Sequence, residues 1–173
     1  MKTSFETPRL ILRELRDSDD TGLFELDSDP VVHQYLGGKP VTSIEQCRNV
    51  IAMIRDQYRQ HGIGRWAVIH KETGEFMGWC GLKVEKNVNG RNRFYDLGYR
   101  LIPRFWGMGY ATESAKAWTD FGFSELNLET ICAYTSPGNL ASQRVLEHCG
   151  LRHTETFLYE GEPEFWYETN GNN

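Results

Sequence analysis

The residues of this 173-residue chain whose types and spacing suggest chemistry gather around two glycines. In Leu101-Ile102-Pro103-Arg104-Phe105-Trp106-Gly107-Met108-Gly109-Tyr110-Ala111-Thr112-Glu113, a strand-like segment stops at Pro103 and a helical pattern opens near Gly109. The first turn of a helix carries N–H groups without intrahelical acceptors and the positive end of the helix dipole. It therefore attracts anions, and glycine lets a phosphate come close to the backbone. Two readings stand at this point: a cradle for an anionic ligand, or a tight strand-to-helix turn that binds nothing. The pattern G-x-x-x-x-G-K-[ST] is missing, and the third glycine of G-x-G-x-x-G would fall on Thr112. Neither a P-loop nor a standard dinucleotide fingerprint fits.

Other reactive side chains read as structure. His148, Cys149 and His153 are close in sequence, but a helix end and a strand start project them differently and no fourth ligand is evident, so no metal site is expected. Cys80, in Gly78-Trp79-Cys80-Gly81, falls in a strand expected to be buried and reads as an inert core thiol. With Cys47, Cys132 and Cys149 it makes four cysteines without a C-x-x-C pair, expected to be reduced and mostly buried. Most aromatic residues are expected in the core, with Tyr35, Trp79 and Trp166 as candidates for lining a substrate pocket.

The elements that must position the glycine turn follow from periodicity. Pro8 to Leu15 alternates as a strand, and Asp17-Ser18-Asp19 and Asp29-Pro30 are helix starts. Thr42-x-x-Glu45 reads as a capping box before an amphipathic helix carrying Ile44, Cys47, Val50, Ile51, Ile54 and Tyr58 and ending at His61-Gly62. Arg65 to His70 and Glu75 to Glu85 form a hairpin, and Asn87-Val88-Asn89-Gly90 turns into a strand from Phe94 to Ile102. A helix from about Gly109 to Glu125, a strand from Thr130 to Tyr134 and a helix from Leu140 to Cys149 follow. This crossover sets the Phe94 and Thr130 strands side by side and parallel in an otherwise antiparallel sheet. Strands around Leu151 to Tyr159 and Glu164 to Glu168 flank Glu160-Gly161-Glu162-Pro163, and the tail from Thr169 to Asn173 is expected to fray. One domain over residues 1–173 is expected, with no repeat and no linker.

Composition excludes several classes. The chain is 39% hydrophobic with 24 acidic against 19 basic side chains, a net charge of −5, which argues against a nucleic-acid footprint. No apolar run reaches the roughly 18 residues that span a bilayer, and the opening Met-Lys-Thr-Ser-Phe-Glu-Thr-Pro lacks the apolar region of a signal peptide. No membrane partner and a cytoplasmic location are expected. Monomer and homodimer stay equally open.

The glycine segment resembles motif A of the GNAT acyltransferases, [Q/R]-x-x-G-x-[G/A], which binds the pyrophosphate of acetyl-CoA. Here it is read as Trp106-Gly107-Met108-Gly109-Tyr110-Ala111, with Trp106 in place of the usual Gln or Arg and Arg104 as a coincidental second register. W-G-x-G-Y-A-T-E resembles the RimJ/RimL branch, the protein N-terminal acetyltransferases and their relatives. Thr7-Pro8-Arg9-Leu10-Ile11-Leu12-Arg13 is similar to that branch's opening strand and Asp96-Leu97-Gly98-Tyr99 to its fourth. Asn139-x-x-Ser142-x-x-Val145-Leu146-Glu147-x-x-Gly150-Leu151 is similar to its motif B. The resemblance covers nearly the whole chain. It implies an α/β GNAT fold: a mixed, mostly antiparallel sheet of about seven strands, flanked by helices, whose parallel fourth and fifth strands splay apart.

The same resemblance implies where acetyl-CoA lies and which groups act. The pantetheine arm would pair with the backbone of Leu101 and Ile102 in the splayed gap. N–H groups of Trp106, Gly107, Met108, Gly109, Tyr110 and Ala111 would hold the pyrophosphate, with the Thr112 hydroxyl nearby. Asn139 would both cap the Leu140 helix and bond the pantetheine arm. The tyrosine that many GNAT enzymes use as general acid is replaced by Leu146; Ser142, one turn earlier, is the substitute, or else a small packing residue. For the base, Asp96 is nominated against an ordinary strand charge, with Glu85 a weaker alternative and water a third route. The expected reaction is direct acetyl transfer to a primary amine in a ternary complex, with a peptide or protein N-terminus as leading acceptor. An α-amine, with a pKa near 8, is more often neutral at pH 7 than a lysine near 10.4. A small amine such as an amino acid, polyamine or antibiotic is the alternative, and a non-catalytic acyl-CoA-binding module a third reading.

Overall fold

A computed structural model describes residues 2–171. The alternating segments form one eight-stranded sheet of order β1-β2-β3-β4-β5-β6-β8-β7. Its strands are β1 (Ser4–Glu6), β2 (Leu10–Glu14), β3 (Arg65–His70), β4 (Phe76–Glu85), β5 (Phe94–Leu101), β6 (Thr130–Thr135), β7 (Arg152–Tyr159) and β8 (Glu162–Asn170). The helices are α1 (Asp20–Asp27), α2 (Ile44–His61), α3 (Tyr110–Ser124) and α4 (Leu140–His148). The strand beyond the expected seven is β1, three residues paired to β2. Phe5 gives it a reason to form, because its ring packs 5.1–5.4 Å from Trp66, Trp118 and Phe121 and so completes an aromatic cluster.

Two apolar clusters sandwich the sheet. Leu10, Leu12, Trp66, Val68, Leu97 and Leu101 pack with Ala115 and Trp118 of α3 and Val145 and Leu146 of α4. Ala67 and Ile69 pack with Leu23 and Leu26 of α1 and Cys47, Ile51 and Ile54 of α2. Each fully buried aliphatic side chain contributes roughly 1.5–3 kcal/mol relative to exposure, so these stripes dock the helices more firmly than any cap does.

Two details differ from the sequence reading. The capping box of α2 sits one residue later, on Ser43 and Gln46, because Gln46 Oε1 accepts from the Ser43 N–H at 3.1 Å and the Thr42 N–H at 2.7 Å. The last strand is longer than expected: Thr169 and Asn170 do not fray but pair with Ile131 and Thr130. Asn172 and Asn173, also placed in that tail, lie outside the described residues.

One irregularity of the sheet matters for function. All neighbours are antiparallel except β5 and β6, and that parallel pair meets in register only at Asp96 and Cys132 among the described residues. Beyond that point the C-terminal halves of β5 and β6 part, and the glycine turn follows one of them and Asn139 the other.

Candidate active site

The turn after β5 is built from backbone geometry that only glycine tolerates well. Pro103–Phe105 forms one 3-10 turn, closed by the Trp106 N–H on Pro103 O at 3.0 Å. Gly107 and Gly109 then take φ of +72° and +81°, left-handed values costly for residues with a Cβ. A side chain at Gly107 would meet no protein atom within 4 Å, so the turn is open on its outer side. The Trp106 N–H is engaged, whereas among the described residues those of Gly107, Met108, Gly109, Tyr110, Ala111 and Thr112 have no protein acceptor. These donors converge at the start of α3, a setting suited to a diphosphate.

Trp106 is a strut: its indole Nε1 donates to Leu101 O at 2.7 Å. With Arg104 first, Arg104-Phe105-Trp106-Gly107-Met108-Gly109 also spells [Q/R]-x-x-G-x-[G/A], the second register noted in the sequence. The Arg104 guanidinium itself pairs with Glu25 and Glu75.

The sequence reading missed a brace under this turn. Glu113, in the first turn of α3, accepts from the Thr7 hydroxyl at 2.6 Å, the Arg9 N–H at 2.9 Å and Arg9 Nε at 2.6 Å. Burial pushes its carboxyl up, but the bonds from Thr7 and Arg9 outweigh this and hold it below the usual range. Arg9 also donates to Met108 O at 2.9 Å, lies over the Tyr110 ring, and places Nη2 3.3 Å from where a Gly109 Cβ would be. A cation thus stands at the lip of the donor-rich turn. The signal was present in Thr7-x-Arg9 and Glu113, but the contact spans 104 residues.

The gap beside β5 has defined edges. Ile102 donates its N–H to Met77 O at 2.9 Å, which turns it toward β4. By the alternation of an antiparallel ladder, the even residues of β5 face β4, and the N–H and C=O of Tyr99 and Leu101 face the gap. Trp106 takes the Leu101 carbonyl, leaving the Leu101 N–H and the Tyr99 backbone on that edge. Across the gap, Asn139 caps α4 by accepting the Ser142 N–H at 3.1 Å. The Ser142 hydroxyl lies 3.0 Å from the Tyr99 hydroxyl, whose phenol burial pushes up. Leu146 packs into the core.

The opposite face of the sheet carries the acidic candidates. Asp96 is 5% exposed and is held by Arg65, whose Nη2 binds its carboxylate and whose Nη1 donates to Asp96 O at 2.7 Å. Burial pushes the Asp96 carboxyl up, while Arg65 and Lys83 pull it down. Arg65 and Arg100 both lie over Trp79, and Arg100 pairs with Asp27 at 2.7 Å. Glu85 pairs with Lys83 at 2.5 Å. The Tyr35 ring lies beside Gly138, where an added Cβ would come within 3.3 Å of its Cε1.

The remaining reactive groups stand apart. All four cysteines are buried and free, and burial pushes the Cys80 thiol up to about 12. His148 bonds Arg144 O at 2.6 Å and His153 stacks on Phe165. Among the described residues no group of three or more His, Cys, Asp or Glu could hold a metal ion, and no helix is long and apolar enough to cross a membrane.

This site belongs to a recognisable class. Residues 9–152 match the Acetyltransferase (GNAT) domain. The chain is 34% identical over 168 residues to the uncharacterized protein YkkB of Bacillus subtilis (strain 168), covering 96% of this chain and 95% of that one. It is 33% identical over 160 residues to the FsC-acetyl coenzyme A-N(2)-transacetylase of Aspergillus fumigatus, covering 90% and 67%. The crystal structure of the acetyltransferase from Agrobacterium tumefaciens str. C58 superposes with a TM-score of 0.81 at 27% identity, covering 98% and 95%. The chain belongs to the GNAT acetyltransferases, enzymes that use acetyl-CoA.

Proposed function

We propose that this single-domain, cytoplasmic GNAT enzyme acetylates the α-amine of a peptide or protein N-terminus, as a member of the RimJ/RimL branch. The branch reading rests on Trp106-Gly107-Met108-Gly109-Tyr110-Ala111-Thr112-Glu113, the opening Thr7 to Arg13 and the Asn139 to Leu151 segment. Four buried free thiols suit a reducing compartment.

The turn and the gap fit acetyl-CoA. The N–H groups of Gly107 to Thr112, the Thr112 hydroxyl and Arg9 would hold the pyrophosphate. Leu101 and Tyr99 backbone, with the Asn139 amide, would hold the pantetheine arm, while the Ile102 N–H is engaged by Met77. When bound, acetyl-CoA supplies a thioester carbon open to an amine and a thiolate that can leave.

The observation that supports transfer to an amine is the placement of Ser142 and Asp96. Tyr99 and Asp96 project from opposite faces of β5, so Ser142, bonded to Tyr99, and Asp96 lie on opposite faces of the sheet. Amide formation there needs a proton removed from the amine on one side and a proton given to sulfur on the other. Asp96 is assigned the first role, its basicity kept up by burial, and Ser142 the second. A second reading, a small-molecule amine, is favoured by the similarity to the fungal N(2)-transacetylase.

The test is release of free CoA from acetyl-CoA against three acceptor sets: peptides with free N-termini, the same peptides N-terminally blocked but carrying lysine, and small amines. Turnover with the first set alone is expected. Turnover with small amines alone selects the second reading, and tight acetyl-CoA binding with no turnover selects a non-catalytic acyl-CoA-binding module.

A further inference from the structure

We infer that Tyr99 is a positioning residue for the transfer: its phenol holds the Ser142 hydroxyl so that the serine proton points into the gap. The inference rests on the assignment of Ser142 as proton donor. Tyr99 on β5 and Ser142 on α4 come from elements 43 residues apart, and their hydroxyls meet at 3.0 Å beside the place where β5 and β6 part. A hydroxyl has one proton to give. A phenol is a stronger acid than an aliphatic alcohol, so of the two possible donors in this bond Tyr99 is assigned that role. Ser142 Oγ then accepts from Tyr99 and must turn its own proton elsewhere. The Asn139 carbonyl oxygen of the side chain fixes the same serine through its N–H, so the hydroxyl has a fixed base and one held lone pair. The Tyr99 backbone also faces the gap, which ties the phenol to the strand edge that the ligand meets.

The step balances as follows. The amine nitrogen bonds the thioester carbon, the C–S bond breaks with its electron pair going to sulfur, and sulfur takes the Ser142 proton. The serine oxygen recovers a proton from bulk water, and Asp96 returns to water the one taken from the amine. Tyr99 keeps its hydrogen bond to the serine oxygen and so lowers the charge that builds there.

Tyr99→Phe keeps the ring and removes only the hydroxyl. The full chain, this variant, Ser142→Ala and the double variant are compared by steady-state kinetics, melting temperature and calorimetric CoA binding across pH, which reports ionisation of the bound thiol. Tyr99→Phe should lower kcat about tenfold with KM for acetyl-CoA little changed. It should add nothing in the Ser142→Ala background, and should raise the pH at which bound CoA ionises. Ser142→Thr should keep its rate beside Tyr99 and lose it beside Tyr99→Phe. A slow Ser142→Ala with a full-speed Tyr99→Phe overturns the inference and spares the proton-donor assignment; a full-speed Ser142→Ala overturns that assignment. A Tyr99→Phe that loses melting temperature while thiol ionisation stays put makes the phenol a packing group and also overturns the inference.

Discussion

Arg65 passes beneath Gly98 to grip Asp96, and the absence of a side chain at Gly98 is what lets it through. A Cβ there would lie 2.6 Å from Arg65 Nη2 and 2.8 Å from its guanidinium carbon. The guanidinium cannot swing aside cheaply, because it also donates to Gly81 O and Asp96 O. Gly98→Ala is therefore expected to cost about 2–4 kcal/mol of stability. Chemical denaturation measures it; a cost under half a kcal/mol would show that Arg65 has another resting place.

Asp96→Asn tests the carboxylate itself. It leaves a buried guanidinium without its counter-charge, a loss of about 3 kcal/mol. The proposed base works only when ionised, so under that assignment wild-type kcat/KM should fall as pH drops through the raised Asp96 pKa. The variant should lack that acid limb and run about 100-fold slower. A variant that loses stability but keeps both rate and pH profile would make Asp96 a structural ion-pair partner, with the amine arriving neutral through water.

Arg9→Ala removes the cation at the lip of the glycine turn. The Arg9 side chain is 43% exposed, which weakens its pull. KM for acetyl-CoA is expected to rise about five- to tenfold with kcat nearly constant. An unchanged KM would reduce Arg9 to a strut for Met108.

Glu113→Gln separates the brace from the ligand. Its carboxyl is held below the ordinary 4.5 in the folded chain. The stabilisation it gives is thus complete above about pH 5 and is lost as pH falls through the depressed value. The variant should be less stable than wild type by about 1–2 kcal/mol at pH 7, and the difference should close in acid. A gap in melting temperature that does not narrow as pH falls below 4.5 would contradict this.

The sheet, its one parallel pair and the four helices were legible because hydrophobic alternation and helix caps are local signals. The strand β1 was not, since only Phe5 of its three residues points inward and its partners lie far along the chain. Ser43 and Gln46 follow Thr42 and Glu45 so closely that both pairs fit a capping box, and only the Gln46 geometry separates them. In the site, the glycine turn stood out by type and spacing, and Ser142 was nominated only through the resemblance of its segment to GNAT motif B. The roles of Arg9, Arg65 and Tyr99 did not, because each depends on a partner 31 to 104 residues away.

The account stands on the open donors of Gly107 to Thr112 holding acetyl-CoA. Calorimetric titration of wild type and Gly109→Trp with acetyl-CoA and with ATP tests this most directly, because tryptophan at φ +81° is strained and projects against Arg9. The account predicts binding of acetyl-CoA and not ATP by wild type, and loss of that binding in a variant whose melting temperature shows that it is still folded. No acetyl-CoA binding by wild type, or equal binding by a folded Gly109→Trp, would contradict it.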